Sequence, residues 1–357
     1  MSAPATPLGA EARRVLRLHE RLGRRRALLV AVIAALLIGA ILVDLVTGPS
    51  GLPLREFWKA LTGAPDASRA ATAIVWQVRL PAALLAALVG AALSLAGAEM
   101  QTILDNPLAS PFTLGVSSAA AFGAALAIVL GVSLPFVPAR AIVVANAFVF
   151  ALASVIFLQF LVRNARADVA TLVLFGVALV FAFNAATALV ELVASADALR
   201  QLVFWGMGSL ADADWPPIAI LAGVLAVTAP FSFLASWRMT ALRLGEERAR
   251  ASGVNVSRLR FLSLLRVSLL AATAVAFVGT IGFVGLVGPH IARMLTGEDH
   301  RFLLPASLLT GALMMSIASI LSKLIVPGLL LPIGVVTSLV GLPVFIFLIY
   351  RTQRRRR

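Results

Sequence analysis

Apolar residues run along this chain in blocks of about 20, long enough to cross a hydrocarbon core of about 30 Å, and short clusters of polar residues, Pro or Gly separate them. The blocks predict ten spans, over residues 27–46, 80–103, 112–130, 141–162, 169–193, 216–236, 261–278, 283–295, 303–325 and 333–350. The eighth is short and rich in Gly. Two interruptions are too polar to span. The segment 47–77 contains the amphipathic LREFWKAL, and 195–215 carries Trp205 and Trp215; both suit a membrane surface. A further interior interruption, 242–260, LRLGEERARASGVNVSRLR, is the most charged. Within it acidic residues come early and Gly late, the pattern of a short helix of about two turns. Three segments combine several helix breakers beside apolar runs: DNPLASPFTLG (105–115), GTIGFVGLVGP (279–289) and VPGLLLPIG (326–334). Broken membrane helices are tolerated where the backbone is buried in protein or lines a wet cavity, so the first two are candidates for a path. The third is read as an ordinary turn.

Composition agrees with this pattern. With 61% hydrophobic residues, 13% charged residues and a mean hydropathy of +0.99, the chain is an all-α integral membrane protein. Its 357 residues leave no room for a large soluble domain. The net charge of +14 does not point to nucleic acid, because the basic residues flank apolar spans and do not interleave with aromatics. Under the ten-span topology, 23 of the 30 Lys and Arg fall on one side, and the positive-inside rule makes that side cytoplasmic, with both termini. The chain thus divides into a basic tail (1–26), one membrane domain (27–350) and a second basic tail (351–357). The first apolar run exceeds a signal-peptide core and is read as a retained helix. Arg outnumbers Lys 28 to 2, a genome bias before a chemical one. There is no Cys, which removes disulfides, thiolate metal sites and thiol nucleophiles.

Energy coupling narrows the function. A phosphate-cradling loop needs GK followed by Ser or Thr, yet Lys59 precedes Ala60 and Lys323 precedes Leu324. Histidines 19, 290 and 300 are too scattered for a metal site, and no metal ligation is expected. A proton-coupled secondary transporter would need acids inside the membrane, for which Glu99 and Glu191 are the candidates. Both fall near span ends, where a capping or interfacial role is expected. A channel would need a charged ring or filter, and none is evident.

Several long motifs in one order carry a resemblance. VRLPAALLAALVGAALSLAGAEMQTILDNPLASPFTLGVSSAAAFGAALAI, FWGMGSL, GEERARASGVNVSRLR, GTIGFVGLVGPHIARMLTGEDHRFLLP and LPIGVVTSLVGLPVFIFL resemble the FecCD-type permeases, the membrane subunits of ABC importers for iron-siderophores, haem and cobalamin. The match runs from about Trp76 to the end. It implies a type II importer permease of ten helices per subunit, paired with a second permease subunit as a homodimer or heterodimer, with the path between subunits. Two cytoplasmic ABC ATPases would use the ATP and Mg2+, this chain would bind no cofactor, and a substrate-binding protein would dock on the outer face. A ferric siderophore is the expected cargo, with haem or cobalamin as the alternative.

The resemblance also implies roles for residues. The 242–260 segment becomes the ATPase-coupling element, with Ala249, Ala251 and Gly253 as a close face and Gly245, Glu246, Arg248 and Arg250 around it. Composition alone allows these arginines merely to orient the protein. Arg79 matches the first Arg of a family R-L-P-R docking motif whose second Arg is here Ala82, and Lys323 aligns with a further basic docking position, while the usual acid is replaced by Leu331. The inner gate falls at Val169, Ala170 and Thr171. Ser117, Ser118, Asn184 and Thr187 are candidates to line the path, or equally to bond their own helix carbonyls. An apolar residue usually stands where this chain has Glu99.

Overall fold

A computed structural model describes residues 10–165, 169–326 and 328–354. Among these every regular element is a helix. Ten main helices follow the predicted order: α1 (Ala10–Val46), α4 (Leu80–Ile103), α5 (Val116–Leu130), α6 (Ile142–Ala165), α7 (Val169–Glu191), α9 (Trp215–Leu234), α12 (Val256–Val278), α13 (Val284–Thr296), α14 (His300–Leu324) and α15 (Ile333–Arg354). Shorter helices fill the polar interruptions: α2 (Leu54–Thr62), α3 (Arg69–Ala73), α8 (Ala196–Gly206), α10 (Ser236–Leu242) and α11 (Glu246–Ala251). The two pieces expected at a surface are α2 and α8.

Three boundaries differ from expectation for physical reasons. From Ala10 the basic N-terminal segment is not a separate tail but the start of α1, one helix of 37 residues. At 1.5 Å per residue it is about 55 Å long, far more than a bilayer core requires. The third span begins at Val116 because Pro111–Leu114 forms a 3-10 turn that ends at left-handed Gly115. In α13, with 13 residues, the helix covers only about 20 Å, and residues 279–283 before it are non-helical.

Central to the bundle is α4, whose most apolar stretch is 83% buried, whereas that of α7 is 11% buried and faces outward. Lipid tails are as apolar as Leu, so close van der Waals contact has to hold such helices together, and small residues permit it. Gly90 of α4 meets Gly311 of α14, and Gly97 meets Gly285 of α13; a Cβ built on Gly97 would lie 1.8 Å from the Gly285 carbonyl oxygen. The spacing of seven residues puts Gly90 and Gly97 on one face of α4.

Contacts between helix ends test the topology without reference to charge. On one face Arg26 (α1) pairs with Asp299 before α14, Arg260 (α12) donates to the Ile103 carbonyl at the end of α4, and Arg243 after α10 pairs with Asp105. There, Arg301 hydrogen-bonds the Asp299 carboxyl and holds it below its usual carboxylate pKa. On the opposite face Arg79 reaches the end of α1, Lys323 pairs with Asp44, and the indole of Trp215 donates to the Trp76 carbonyl. Each end therefore meets the partners that alternating spans require. Exposed Trp58, Trp76 and Trp215 mark the opposite face and exposed Trp237 and Tyr350 the basic face. Along α9, which starts at Trp215 and ends three residues before Trp237, the chain rises about 30 Å, close to one hydrocarbon thickness between two aromatic belts.

Candidate functional site

The three breaks converge. A cavity of about 540 Å3 is lined by Leu108, Ser110, Phe112 and Thr113 from the first, Thr280, Gly282 and Phe283 from the second, and Gly334 at the end of the third with Val335 and Ser338 of α15. Gly206 and Met207 at the end of α8 complete it. The two breaks read as candidates for a path thus border one cavity, and the third, read as an ordinary turn, contributes Gly334 to it.

Backbone contacts fix this meeting. Ser209 N–H donates to the Val278 carbonyl at 2.9 Å and Ile333 N–H to the Gly208 carbonyl at 3.0 Å. Gly279, at φ 74°, could carry no side chain there, because a Cβ would fall 2.1 Å from the Trp205 carbonyl oxygen. Such non-helical backbone is stable at membrane depth only when it is paired internally or lines a cavity, and both conditions hold. The lining hydroxyls have their protons engaged: Thr113 donates to the Ser110 carbonyl at 2.7 Å, Ser338 to the Gly334 carbonyl at 2.8 Å, and Thr280 to the Gly206 carbonyl. They offer the cavity acceptor lone pairs among apolar surfaces.

Of the residues expected to line the path, Ser117 is 5% exposed and borders a water-sized space behind Phe112 and Phe283. Ser118 is half-buried on α5, outside the cavity lining. Asn184 is exposed on α7, and Thr187 donates to its own Phe183 carbonyl at 2.8 Å. The hydroxyls that do line the cavity, on Thr113, Thr280 and Ser338, lie in or beside the breaks, so the breakers themselves were the signal. At the expected gate, α7 begins at Val169, whose side chain lies outside the described residues; Ala170 is exposed and Thr171 half-buried.

The coupling segment forms α11 with a left-handed glycine at either end, Gly245 at φ 106° and Gly253 at φ 81°. Arg248, Arg250, Ala251 and Gly253 face outward. Ala249 does not: it is fully buried under the helix and is removed from the expected contact face. The Glu246 carboxylate accepts from Arg250 at 2.5 Å and Arg260 at 3.0 Å and so braces α11 against α12, while its side chain stays 36% exposed. Leu244, 64% exposed just before α11, was overlooked by sequence reasoning.

Two docking expectations change outright. Arg79 is 4% exposed, with its guanidinium donating to the Leu45 and Val46 carbonyls and Ser50 Oγ, where it closes the end of α1. Lys323 Nζ pairs with the buried Asp44 carboxylate at 2.7 Å. Neither charge faces outward. The exposed cations of that face are Arg55, Arg69, Arg140 and Arg200, the last paired with Asp197.

Glu99 also departs from expectation. It is fully buried and accepts from Arg266 of α12 at 2.6 Å and from Ser232 of α9, so it neither caps a helix nor reaches interfacial water. Glu191 is exposed at the end of α7, where an interfacial acid belongs.

With this geometry the family model for the FecCD transport family matches residues 36–351. The chain belongs to the FecCD transport family. It is 37% identical over 309 residues to the hemin transport system permease protein HmuU of Yersinia pestis, covering 87% of this chain and 91% of that one. To the Fe(3+) dicitrate transport system permease protein FecD of Escherichia coli it is 38% identical over 325 residues, covering 91% and 99%. A solved structure described as an inward-facing conformation of an ABC transporter of the metal-chelate type superposes with a TM-score of 0.79 at 31% identity, covering 90% and 99%. This FecCD-family chain is therefore a multi-span permease subunit of an ABC importer, and ATP is hydrolysed by partner subunits.

Proposed function

We propose that this FecCD-family permease carries a ferric chelate, with a ferric siderophore as the favoured cargo. The observation that supports this is the cavity lining, single hydroxyl acceptors spaced among apolar side chains. A bare cation is gripped by converging carboxylates, carbonyls or imidazoles. An acceptor-bearing apolar wall instead suits a bulky molecule that has already wrapped its metal and must leave again. HmuU and FecD are named for hemin and ferric dicitrate, so haem is the second cargo and cobalamin the third.

In this reading the basic face is cytoplasmic, the membrane is a bacterial inner membrane, and both termini lie inside. A second permease subunit closes the cavity. Two ATPases seat on α11 and Leu244, using ATP and Mg2+ while this chain holds no cofactor, and a binding protein docks through exposed Arg55, Arg69 and Arg140. The start of α7, at Val169, Ala170 and Thr171, forms the inner gate. The proton-coupled alternative loses its main support, because the Glu99 charge is engaged by Arg266.

Reconstitution decides between them. Proteoliposomes holding the permease, its ATPase and its binding protein should take up a ferric siderophore on ATP and retain it. Uptake driven by a proton gradient without ATPase would overturn the importer reading, and ATP-driven uptake of hemin alone would replace the cargo.

A further inference from the structure

The two ends of the coupling segment are bound to one turn. Arg243, which follows α10, donates to Asp105 Oδ1 and, at 3.3 Å, to Glu298 Oε1. Glu298 is shared with Arg293 at 3.2 Å, and Arg293 in turn donates to Gln101 of α4 at 3.1 Å. From the other side of α11, Arg260 donates to the Ile103 carbonyl at 3.1 Å. Both cations therefore meet the turn where α4 ends, Arg260 at Ile103 and Arg243 at Asp105 just beyond it. That turn leads, through left-handed Asp105, into the loop whose Leu108, Ser110, Phe112 and Thr113 line the cavity.

We propose that Arg243 is a positioning residue that makes the placement of the cavity-lining loop, residues 104–115, depend on the placement of the coupling segment. This rests on the importer reading above. The energetics distinguish a fixed joint from a movable one. Glu99 and Arg266, 0% and 11% exposed, hold α4 to α12 in a buried pair that is costly to part. The Asp105 and Glu298 side chains are 82% and 46% exposed, and such solvated pairs are held only weakly, so Arg243 can exchange partners within a transport cycle. A force on α11 thus reaches the loop at its base, while the body of α4 stays with its neighbours.

The absence of cysteine from the native chain makes the test clean. In the assembled permease–ATPase complex, Phe112→Cys places one thiol at the cavity wall, and its rate of maleimide labelling is read with and without a non-hydrolysable ATP analogue. The expected nucleotide response is about fivefold or more, in the range of ordinary coupling between sites. Adding Arg243→Ala should reduce the response to less than about twofold, and Arg243→Asp with Asp105→Arg should restore it. Asp105→Asn removes the same pair from an exposed position and carries the test if Arg243→Ala does not assemble. A full response in Arg243→Ala or Asp105→Asn, or no recovery on exchanging the charges, overturns the proposal. ATP-driven uptake by the native complex is measured in parallel: uptake without any labelling response sinks only the positioning role, whereas no ATP-dependent uptake sinks the importer reading and this inference with it.

Discussion

At the scale of single residues, charge burial is what the structure changes most. Glu99, Asp44 and Arg79 are buried and the Lys323 side chain is nearly so, and each is paired with a group far away in sequence. Glu99 and Arg266 are separated by 167 positions, and Asp44 and Lys323 by 279. No local pattern signals such a partner, so a lone acid near a span end reads as interfacial when it is in fact neutralised at depth. Removing one member of a buried pair strands the other, which typically costs about 3–5 kcal/mol, whereas replacing both by apolar residues of similar volume is often close to neutral. Glu99→Ala should therefore lower the thermal stability of the purified permease strongly, and Glu99→Leu with Arg266→Met should regain most of the loss. Equal melting of Glu99→Ala and the native protein would show that the ion pair contributes little.

At the scale of elements, the helices were largely legible, because a span must satisfy its own backbone and exclude charge over about 20 residues. The short α11 was legible too, from acids at its start and Gly at its end. Which face of it looks outward was not. Small residues looked suited to a close contact, yet Ala249 is buried inward, and Leu244 and Arg248 are left on the surface. Leu244→Asp tests the exposed side. It should leave the stability of the isolated permease within about 0.5 kcal/mol, as surface changes do. Transport by the assembled complex should fall about tenfold, the loss expected when about 1.4 kcal/mol of a contact is removed. Unchanged uptake would place the ATPase contact elsewhere on the segment.

At the scale of the whole molecule, the positive-inside bias and the end-to-end contacts agree on one topology by independent routes. A single thiol at exposed Arg248 should react with a membrane-impermeant maleimide only after the cytoplasmic side is opened, and one at exposed Arg140 should react from outside. The reverse pattern would invert the protein. The cavity belongs to this scale as well. Its walls come from three breaks spread between residues 105 and 338, and exposed Leu108, Phe112 and Leu339 border it, which leaves an apolar margin for a second subunit to cover.

Hydropathy and charge bias by themselves determined a bundle of about ten spans, and the lack of GK followed by Ser or Thr excluded an ATPase motif, since each is imposed locally by the bilayer or by a phosphate-binding loop; the order of the motifs added the permease family. They also located the breaks. Only the tertiary structure decided that the breaks share one cavity, that Arg79 and Lys323 turn inward to the end of α1, and that Arg243 pairs with Asp105 at the start of the cavity-lining loop. Those outcomes depend on which backbone can approach which across α4. Sequence records the small residues that permit the approach, but the partner of each charge is fixed only once the helices have packed.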